Sequence, residues 1–211
     1  MRKHVAVLMG GISSEREISL ASGRACAAAL AQLGWQVTQI DVDRHIASRL
    51  ESMRLDAALV ALHGPFGEDG KIQSILEYLQ IPYTHSGVLA SALAMNKKLS
   101  KTIVASAGVP VAPSCYLKFS ELKQEHPMAP PYVIKPVNEG SSFGVILVEA
   151  GQIFPLSALQ ENWRYGEDMM VEQYVAGREL TCPVLGGRAL EVCEIFPVSY
   201  THLTLPTICS V

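Results

Sequence analysis

The first half of the chain alternates short apolar runs with longer segments whose apolar positions recur at helical spacing. The predicted strands are 4–9, 35–41, 57–62 and, as a short strand with a turn, 81–87. The predicted helices are 14–34, 43–54 and 71–80. Ser14 and Glu17 have the spacing of a capping box, and Gly34 suits the end of the first helix. This rhythm of strand and helix predicts a parallel sheet covered by helices.

The pattern changes near residue 97. A helix at 97–108 ends at Gly108, and Pro110 and Pro113 prevent its continuation. The following apolar runs predict a hairpin-type pair around a Gly/Ser turn and then further strands. Those strands are 131–137, 142–149, 168–175, 178–187 and 188–198. An α/β region is therefore expected to precede an α+β region.

Composition excludes several classes of function. The 211 residues are 49% hydrophobic and 18% charged, with a formal net charge of −3. This balance gives no electrostatic reason to expect nucleic acid or an anionic membrane as a partner. The five cysteines are odd in number and lack a C-x-x-C pair, which favours free thiols in the cytoplasm over a disulfide framework or zinc site.

Three glycine-rich loops are the candidates for chemistry: GGISSE at 10–15, HGPFGEDG at 63–70 and KPVNEGSSFG at 135–144. The first two follow strands of the predicted parallel sheet, where open α/β sheets bind ligands. Tight turns explain them equally well, and a carboxylate such as Glu15 also suits the start of a helix. In the third loop, backbone amides beside Lys135 could hold a phosphate, although a solvated hairpin loop has the same composition.

Together these loops resemble one family. The stretches 10–23, 63–74, 83–97 and 133–145 are similar to successive stretches of the bacterial D-alanine–D-alanine ligases, which belong to the ATP-grasp superfamily. The resemblance extends from residue 4 to about 197. The HGPFGEDG stretch is highly specific to that family, whereas the Lys-Pro…Glu-Gly-Ser-Ser-x-Gly stretch is shared more loosely with other ATP-grasp enzymes.

The resemblance implies a fold and a division into domains. It implies an α/β fold: an N-terminal parallel-sheet, Rossmann-like domain over 1–96, followed by an α+β ATP-grasp lobe over 97–178. A C-terminal ATP-grasp lobe would begin at 179–198 and be incomplete. The remaining residues, 199–211, contain no Asp, Glu, Lys or Arg. We interpret them as a non-native tail on a truncated reading frame.

The resemblance also implies roles at the substrate end of the site. Glu15 would hold the ammonium of the first D-alanine, and His63 would lie near the carboxylate of that D-alanine. Ser141 would hydrogen-bond Glu15 and help to hold it in place. Asn96 stands where the family often has an acid, which is a minor departure.

At the nucleotide end, the resemblance implies that Lys97 and Lys135 contact the ATP phosphates, with the Ser141–Ser142 loop closing over them. The carboxylate of Glu172 would bind the adenine amino group, and the backbone of Gln173 and Val175 would bind the edge of the ring. The carboxylate of Glu179 would bind the ribose hydroxyls. The family's Mg²⁺ (or Mn²⁺) ligands lie in the C-terminal lobe, so none is expected here.

The implied reaction joins two D-alanines at the expense of ATP, through an acyl phosphate, to supply peptidoglycan synthesis. The expected partners are D-alanine and ATP, and a homodimer is left open. The chain alone is expected to be inactive. Two alternatives stay open: another ATP-grasp carboxylate–amine ligase, and a catalytically dead nucleotide-binding or regulatory protein. The sequence also leaves open whether the second substrate is D-alanine or a hydroxy acid.

Overall fold

A computed structural model of the chain describes residues 3–196. The predicted tail at 199–211 and the last residues of the strand predicted at 188–198 lie outside this range. Within it, the α/β architecture expected from the sequence is confirmed: a parallel sheet comes first and a mixed α+β region follows. No helix among the described residues is both long and apolar enough to span a bilayer.

The first sheet is parallel, with the order β2-β1-β3. Its strands are β1 (His4–Met9), β2 (Gln36–Asp41) and β3 (Ala57–Val60). The segment predicted as a fourth strand adds only a parallel bridge from Ala58 to Tyr83. β1 is central and buried on both faces, which explains its unbroken apolar run. The carboxyl ends of these strands deliver the first two glycine loops to one edge.

Three helices cover this sheet: α1 (Arg16–Gln32), α2 (Ile46–Glu51) and α3 (Lys71–Tyr78). The predicted capping box is wrong. Glu15, not Ser14, occupies the N-cap position of α1, and no side chain caps it. Gly23 of α1 lies so close to β1 that an added Cβ would be 2.4 Å from the Cβ of Met9. This close packing brings the start of α1 to the sheet edge.

Two consecutive helices connect the two regions. The helix predicted at 97–108 is α5 (Lys97–Ser106), whereas α4 (Val88–Met95) was not predicted. Its sequence, VLASALAM, has no polar stripe from which a helical period could be recognised. Asn96 separates the two helices, and its side-chain oxygen accepts a hydrogen bond of 3.0 Å from the amide of Leu99. A capping amide therefore starts α5 with Lys97 in its first turn.

The second sheet is antiparallel, with the order β4-β7-β5-β6. Its strands are β4 (Ser114–Lys118), β5 (Tyr132–Pro136), β6 (Ile146–Val148) and β7 (Asp168–Gln173). β5 and β6 form the predicted hairpin-type pair, but β6 is much shorter than 142–149. Ser141 and Ser142 have left-handed φ values of 47° and 61°, as does Gly144, so an extended strand cannot include them.

A 3-10 turn (Phe119–Glu121) follows β4, and α6 (Leu156–Asn162) packs on the second sheet. The segment predicted as two long strands at 178–198 instead forms short ones: β8 (Glu179–Thr181), β9 (Val184–Leu185), β10 (Arg188–Ala189) and β11 (Cys193–Ile195). β8 pairs with β11, and β9 with β10. Many apolar side chains of this segment are exposed, so it has little core to extend its strands.

Candidate functional site

Glu15 is the most buried carboxylate of the glycine loops, with 6% of its surface exposed. The hydroxyl of Ser141, far away in sequence, donates a hydrogen bond to its Oε1 atom. Its Oε2 atom lies close to Gly64, where an added Cβ would be 2.9 Å away. Gly64 has a φ of 66°, in the left-handed region that favours glycine. All three glycine loops therefore meet around one carboxylate.

Ser13, which the sequence analysis did not single out, joins the first two loops. Its hydroxyl donates to the backbone carbonyl of His63 at 2.8 Å and accepts from the amide of Glu15 at 3.2 Å. It thereby fixes the relative positions of both predicted substrate-binding residues. A serine in a glycine-rich turn is common, so only the long-range contact reveals this role.

His63 and Glu68 form a charged pair inside the HGPFGEDG loop, with 3.8 Å between Nδ1 and Oε1. The amide of Gly64 donates to the other oxygen of Glu68 at 3.0 Å. The Glu68 carboxylate raises the pKa of His63 despite partial burial, and His63 in turn lowers the pKa of Glu68. Among residues 3–196, Nε2 of His63 is a buried nitrogen without a hydrogen-bond partner. A protonated His63 could offer this N–H to a carboxylate.

A cavity of about 480 Å³ opens beside this pair. Its lining combines the HGPFGEDG loop, α4, the start of α5 and the Gly/Ser loop. Polar groups on the wall include His63, Glu68, His85, Lys97 and Glu139. This volume lies within the common range of ligand sites, and it accommodates small polar molecules.

Lys97 connects the cavity to the Gly/Ser loop, because its Nζ donates to the backbone carbonyl of Glu139. Burial lowers the pKa of Lys97, and the nearby positive charge of Lys135 lowers it further. An anion bound between Lys97 and Lys135 would stabilise the charged form of Lys97 and so offset both effects on its pKa. The consecutive left-handed residues Ser141 and Ser142 shape the adjoining loop. Such strained backbone in non-glycine residues occurs often at ligand sites.

Glu172, near the end of β7, is held by two lysines. Nζ of Lys135 lies 2.5 Å from its Oε2, and Nζ of Lys101 donates to its Oε1. Burial opposes ionisation of this carboxylate, but the hydrogen bonds and charges of the lysines outweigh it, and the pKa of Glu172 is lowered. Lys135, expected at the phosphates, thus contacts the residue expected at the adenine.

Sequence reasoning missed Lys101. It lies one helical turn after Lys97 on α5, at the i, i+4 spacing that places two side chains on one face. Besides its bond to Glu172, its Nζ donates to the carbonyl of Ala112 at 2.6 Å. The spacing from Lys97 was the available signal, but it became meaningful only once the structure placed Nζ of Lys101 against the Glu172 carboxylate.

The other predicted nucleotide residues follow Glu172 in sequence. Gln173 ends β7, and its amide donates to the carbonyl of Pro113 at 2.9 Å. Val175 lies in the exposed connection after β7, and Glu179 starts β8, also exposed. Within the part of the chain that the structure describes, no hydrogen bond or ion pair joins the Glu179 side chain to the lysine cluster.

Comparison with known proteins identifies related sequences and structures. Two family profiles match: "D-ala D-ala ligase N-terminus" over residues 44–86 and "D-ala D-ala ligase C-terminus" over residues 103–203. D-alanine–D-alanine ligase B from Brucella suis is 60% identical over 199 residues, which cover 94% of this chain and 65% of that protein. The D-alanine–D-alanine ligase from Bartonella bacilliformis is 61% identical, covering 92% and 64%.

The chain belongs to the D-alanine–D-alanine ligase family. Solved structures agree. A D-alanine–D-alanine ligase from Bacillus anthracis matches with a TM-score of 0.79 and 31% identity, over 92% of this chain and 64% of that one. The same enzyme complexed with ATP matches with a TM-score of 0.79 and 28% identity, over 97% and 72%. This member spans slightly less than two thirds of the length of the curated relatives it matches.

In this member of the D-alanine–D-alanine ligase family, Glu15 differs from an ordinary helix-end acid. A carboxylate at the start of a helix is ordinarily solvated, but Glu15 is buried between two loops, because Ser141 and Gly64 cover it. Residues 3–196 contain no group of three or more His, Cys, Asp or Glu side chains arranged to hold a metal ion. The carboxylates of residues 3–196 therefore do not by themselves form a complete Mg²⁺ site.

Proposed function

We propose that this chain provides the sites for the first D-alanine and for ATP in an ATP-dependent D-alanine–D-alanine ligase. The observation that carries the proposal is the hydrogen bond from Ser141 to Glu15. It joins the loop suited to phosphates to the buried carboxylate suited to an ammonium. Transfer of a phosphoryl group to an amino acid requires these two sites to be adjacent. The names of the matched relatives support the same activity.

The substrate end suits a zwitterionic amino acid. Glu15 offers a buried negative charge for the ammonium of the first D-alanine, and Ser141 orients that carboxylate. His63, kept protonated to higher pH by Glu68, offers Nε2–H to the carboxylate of the substrate. Charge-assisted hydrogen bonds of this kind contribute about 1.5–3 kcal/mol each. They hold the substrate carboxylate facing the Gly/Ser loop.

The nucleotide end suits a polyanion joined to a purine. The phosphates would be held by Lys97, Lys135 and the backbone of Ser141–Ser142. The charged form of Lys97 would be stabilised most by a bound phosphate, because burial leaves that charge poorly solvated. Glu172 would accept the adenine amino group while Lys101 remains bound to it. The remaining adenine and ribose contacts would come from Gln173, Val175 and Glu179.

The chemistry proceeds in two steps. An oxygen of the first D-alanine's carboxylate attacks the γ-phosphorus of ATP, which gives an acyl phosphate and releases ADP. The amine of a second D-alanine, or the hydroxyl of a hydroxy acid in its place, then attacks the acyl carbon. Phosphate leaves, and the attacking nitrogen or oxygen loses a proton. The lysines offset the charge of the transferring phosphoryl group. Closure of the Ser141–Ser142 loop would exclude water, which otherwise hydrolyses the acyl phosphate.

The proposal includes the organisation expected from the sequence. We propose domain boundaries at 1–96, 97–178 and 179–198, since the parallel sheet is complete before α5 begins. We also propose that Mg²⁺ accompanies the nucleotide, that the protein is cytoplasmic and that it serves peptidoglycan synthesis, and family membership supports these proposals. The second substrate stays open between D-alanine and a hydroxy acid, and homodimer formation stays open as well.

A fusion protein tests this function. Residues 1–196 would be joined to the part of the Brucella suis relative that the chain does not cover, and phosphate release from ATP measured with and without D-alanine. We expect D-alanine-dependent release. Glu15→Gln should raise the KM for the first D-alanine about 10-fold to 100-fold, because a charge-assisted bond is lost. Glu17→Gln, also at the start of α1, is the matched control and should change little. Phosphate release independent of D-alanine would refute the proposal.

A further inference from the structure

The last residue of β7 faces a proline across the sheet. The register of β4 and β7 pairs Ser114 with Glu172, which places Pro113 opposite Gln173. The amide of Gln173 donates to the carbonyl of Pro113 at 2.9 Å. In an antiparallel sheet, a hydrogen-bonded pair of this kind normally exchanges two bonds, one in each direction. Here the second bond would need an N–H on Pro113.

Proline has no N–H, so Pro113 cannot donate to the carbonyl of Gln173. β5 cannot supply the missing donor either, because the N–H and C=O of one strand residue point to the same side. The next residue, Tyr174, bonds to the opposite side, where its amide donates to Pro131 at 3.1 Å. Gln173 is an exposed residue at the end of β7, where a ligand can approach the backbone.

The open carbonyl lies beside a fixed carboxylate. Lys101 donates to the carbonyl of Ala112 and to the side chain of Glu172, so it ties the segment that carries Pro113 to the end of β7. The end of β7 therefore carries two kinds of acceptor on consecutive residues, the side-chain carboxylate of Glu172 and the backbone carbonyl of Gln173. A ligand group that carries two N–H donors on one nitrogen can donate to both acceptors.

We infer that Pro113 is a positioning residue that determines nucleotide specificity, by keeping the carbonyl of Gln173 open for the 6-amino group of a purine. This inference rests on the proposed ATP site. A 6-amino purine brings two donors to this position, whereas a 6-oxo purine brings an acceptor that the carbonyl and carboxylate repel. Pro113 therefore favours ATP over GTP without contacting either nucleotide.

Pro113→Ala tests the inference in the 211-residue chain, because alanine supplies the missing N–H. We expect the new backbone amide to be protected in hydrogen exchange by a bond to Gln173. The Kd for ATP should rise about threefold to tenfold, which corresponds to one lost hydrogen bond, while the Kd for GTP stays unchanged. Pro110→Ala is the matched control, since Pro110 lies before β4 and faces no paired strand. It should leave both Kd values unchanged.

The outcomes separate the inference from the proposed function. If the amide introduced by Pro113→Ala is unprotected, or if the ratio of the ATP and GTP Kd values is unchanged, the role of Pro113 alone is overturned. Equal weakening of both nucleotides also overturns it, because a merely structural defect would have that effect. If the parent chain binds neither nucleotide in calorimetry, the proposed ATP site itself is wrong, and the inference is lost with it.

Discussion

The two ends of the site differ in the sign of their charge and in how that charge is held. At the substrate end, Glu15 and Glu68 both lie near His63, and glycine loops hold the two carboxylates in place. At the nucleotide end, Lys101 and Lys135 contact Glu172, and Lys97 lies nearby. Regular elements hold all three lysines, because α5 carries Lys97 and Lys101 and β5 carries Lys135. The substrate end therefore suits a zwitterion, and the nucleotide end suits a polyanion.

The difference shows two ways of building a charged site. Bringing Glu15 within reach of a distant loop requires close backbone approach, which only glycine permits at Gly64. The lysines have long, flexible side chains, so they converge on Glu172 from two elements without unusual backbone. The substrate end should therefore be sensitive to backbone changes, and the nucleotide end to changes of charge.

Removing a cation at the nucleotide end should have the largest effect. Lys135→Ala leaves the phosphates without one lysine and Glu172 with only Lys101. We expect phosphate release by the fusion protein to fall about 100-fold, the loss typical of one preorganised electrostatic group. ATP binding to the chain should weaken in parallel.

Lys118→Ala is the control for that experiment. Lys118 pairs with Asp168 on the surface at 2.7 Å, and both side chains are about half exposed. The side chains of Lys118 and Asp168 bond to each other and not to a glycine loop, so ATP binding and phosphate release should stay at parental values. Equal losses in the two variants would show that the charge of Lys135 has no special place at the nucleotide end.

A backbone change at the substrate end should have an intermediate effect. In Gly64→Ala, the alanine would have to adopt a left-handed backbone conformation, and its Cβ would lie 2.9 Å from the Glu15 carboxylate. We expect the free energy of unfolding to fall by about 1–3 kcal/mol, from strain and overpacking, and the KM for D-alanine to rise. Denaturant unfolding and phosphate release measure the two effects.

Gly140→Ala provides the comparison, because its Cβ would lie 3.8 Å from the same Glu15 oxygen, an ordinary contact distance. Its stability and its KM for D-alanine should remain close to the parent. If both alanine variants are equally stable, close backbone approach at Gly64 is not what positions Glu15.

The smallest effect should be a shift in pH dependence. The pKa of His63 is raised in the folded chain, so its contribution to stability is complete below about pH 6.5 and is lost as pH rises through the raised pKa. The pKa of Glu68 is lowered, so its contribution is complete above about pH 4.5 and is lost as pH falls through the lowered pKa. Glu15 is the other charge that acts on His63. The His63–Glu68 pair should therefore contribute most to the free energy of unfolding between about pH 4.5 and about pH 6.5.

Glu68→Gln should lower the pKa of His63 and move the alkaline limb of D-alanine binding to lower pH, with a several-fold loss of affinity near neutrality. NMR titration of His63 and the KM measured across pH check this. Glu77→Gln is the control, because that carboxylate accepts a hydrogen bond from Tyr83 at 2.7 Å, away from His63. An unshifted His63 titration in Glu68→Gln would contradict the pairing.

The sequence predicted most elements of the fold because their signals are local. The apolar runs of β1, β2 and β3 and the Gly/Ser turn between β5 and β6 each lie within a few consecutive residues. α4 escaped prediction because it has no polar stripe, and β6 was predicted too long because Ser141 and Ser142 adopt left-handed conformations. Serine carries no local signal for that backbone.

For the site, the sequence by itself determined which residue types are available: the glycine loops, Glu15, His63, and the lysines of α5 and β5. The tertiary structure alone decided which of them meet. Ser141 reaches Glu15 across 126 positions, and Lys101 reaches Glu172 across 71. The burial of Glu15 and the open carbonyl opposite Pro113 likewise depend on packing and strand register. Such contacts join distant segments, and patterns of neighbouring residues carry no information about which segments the fold brings together.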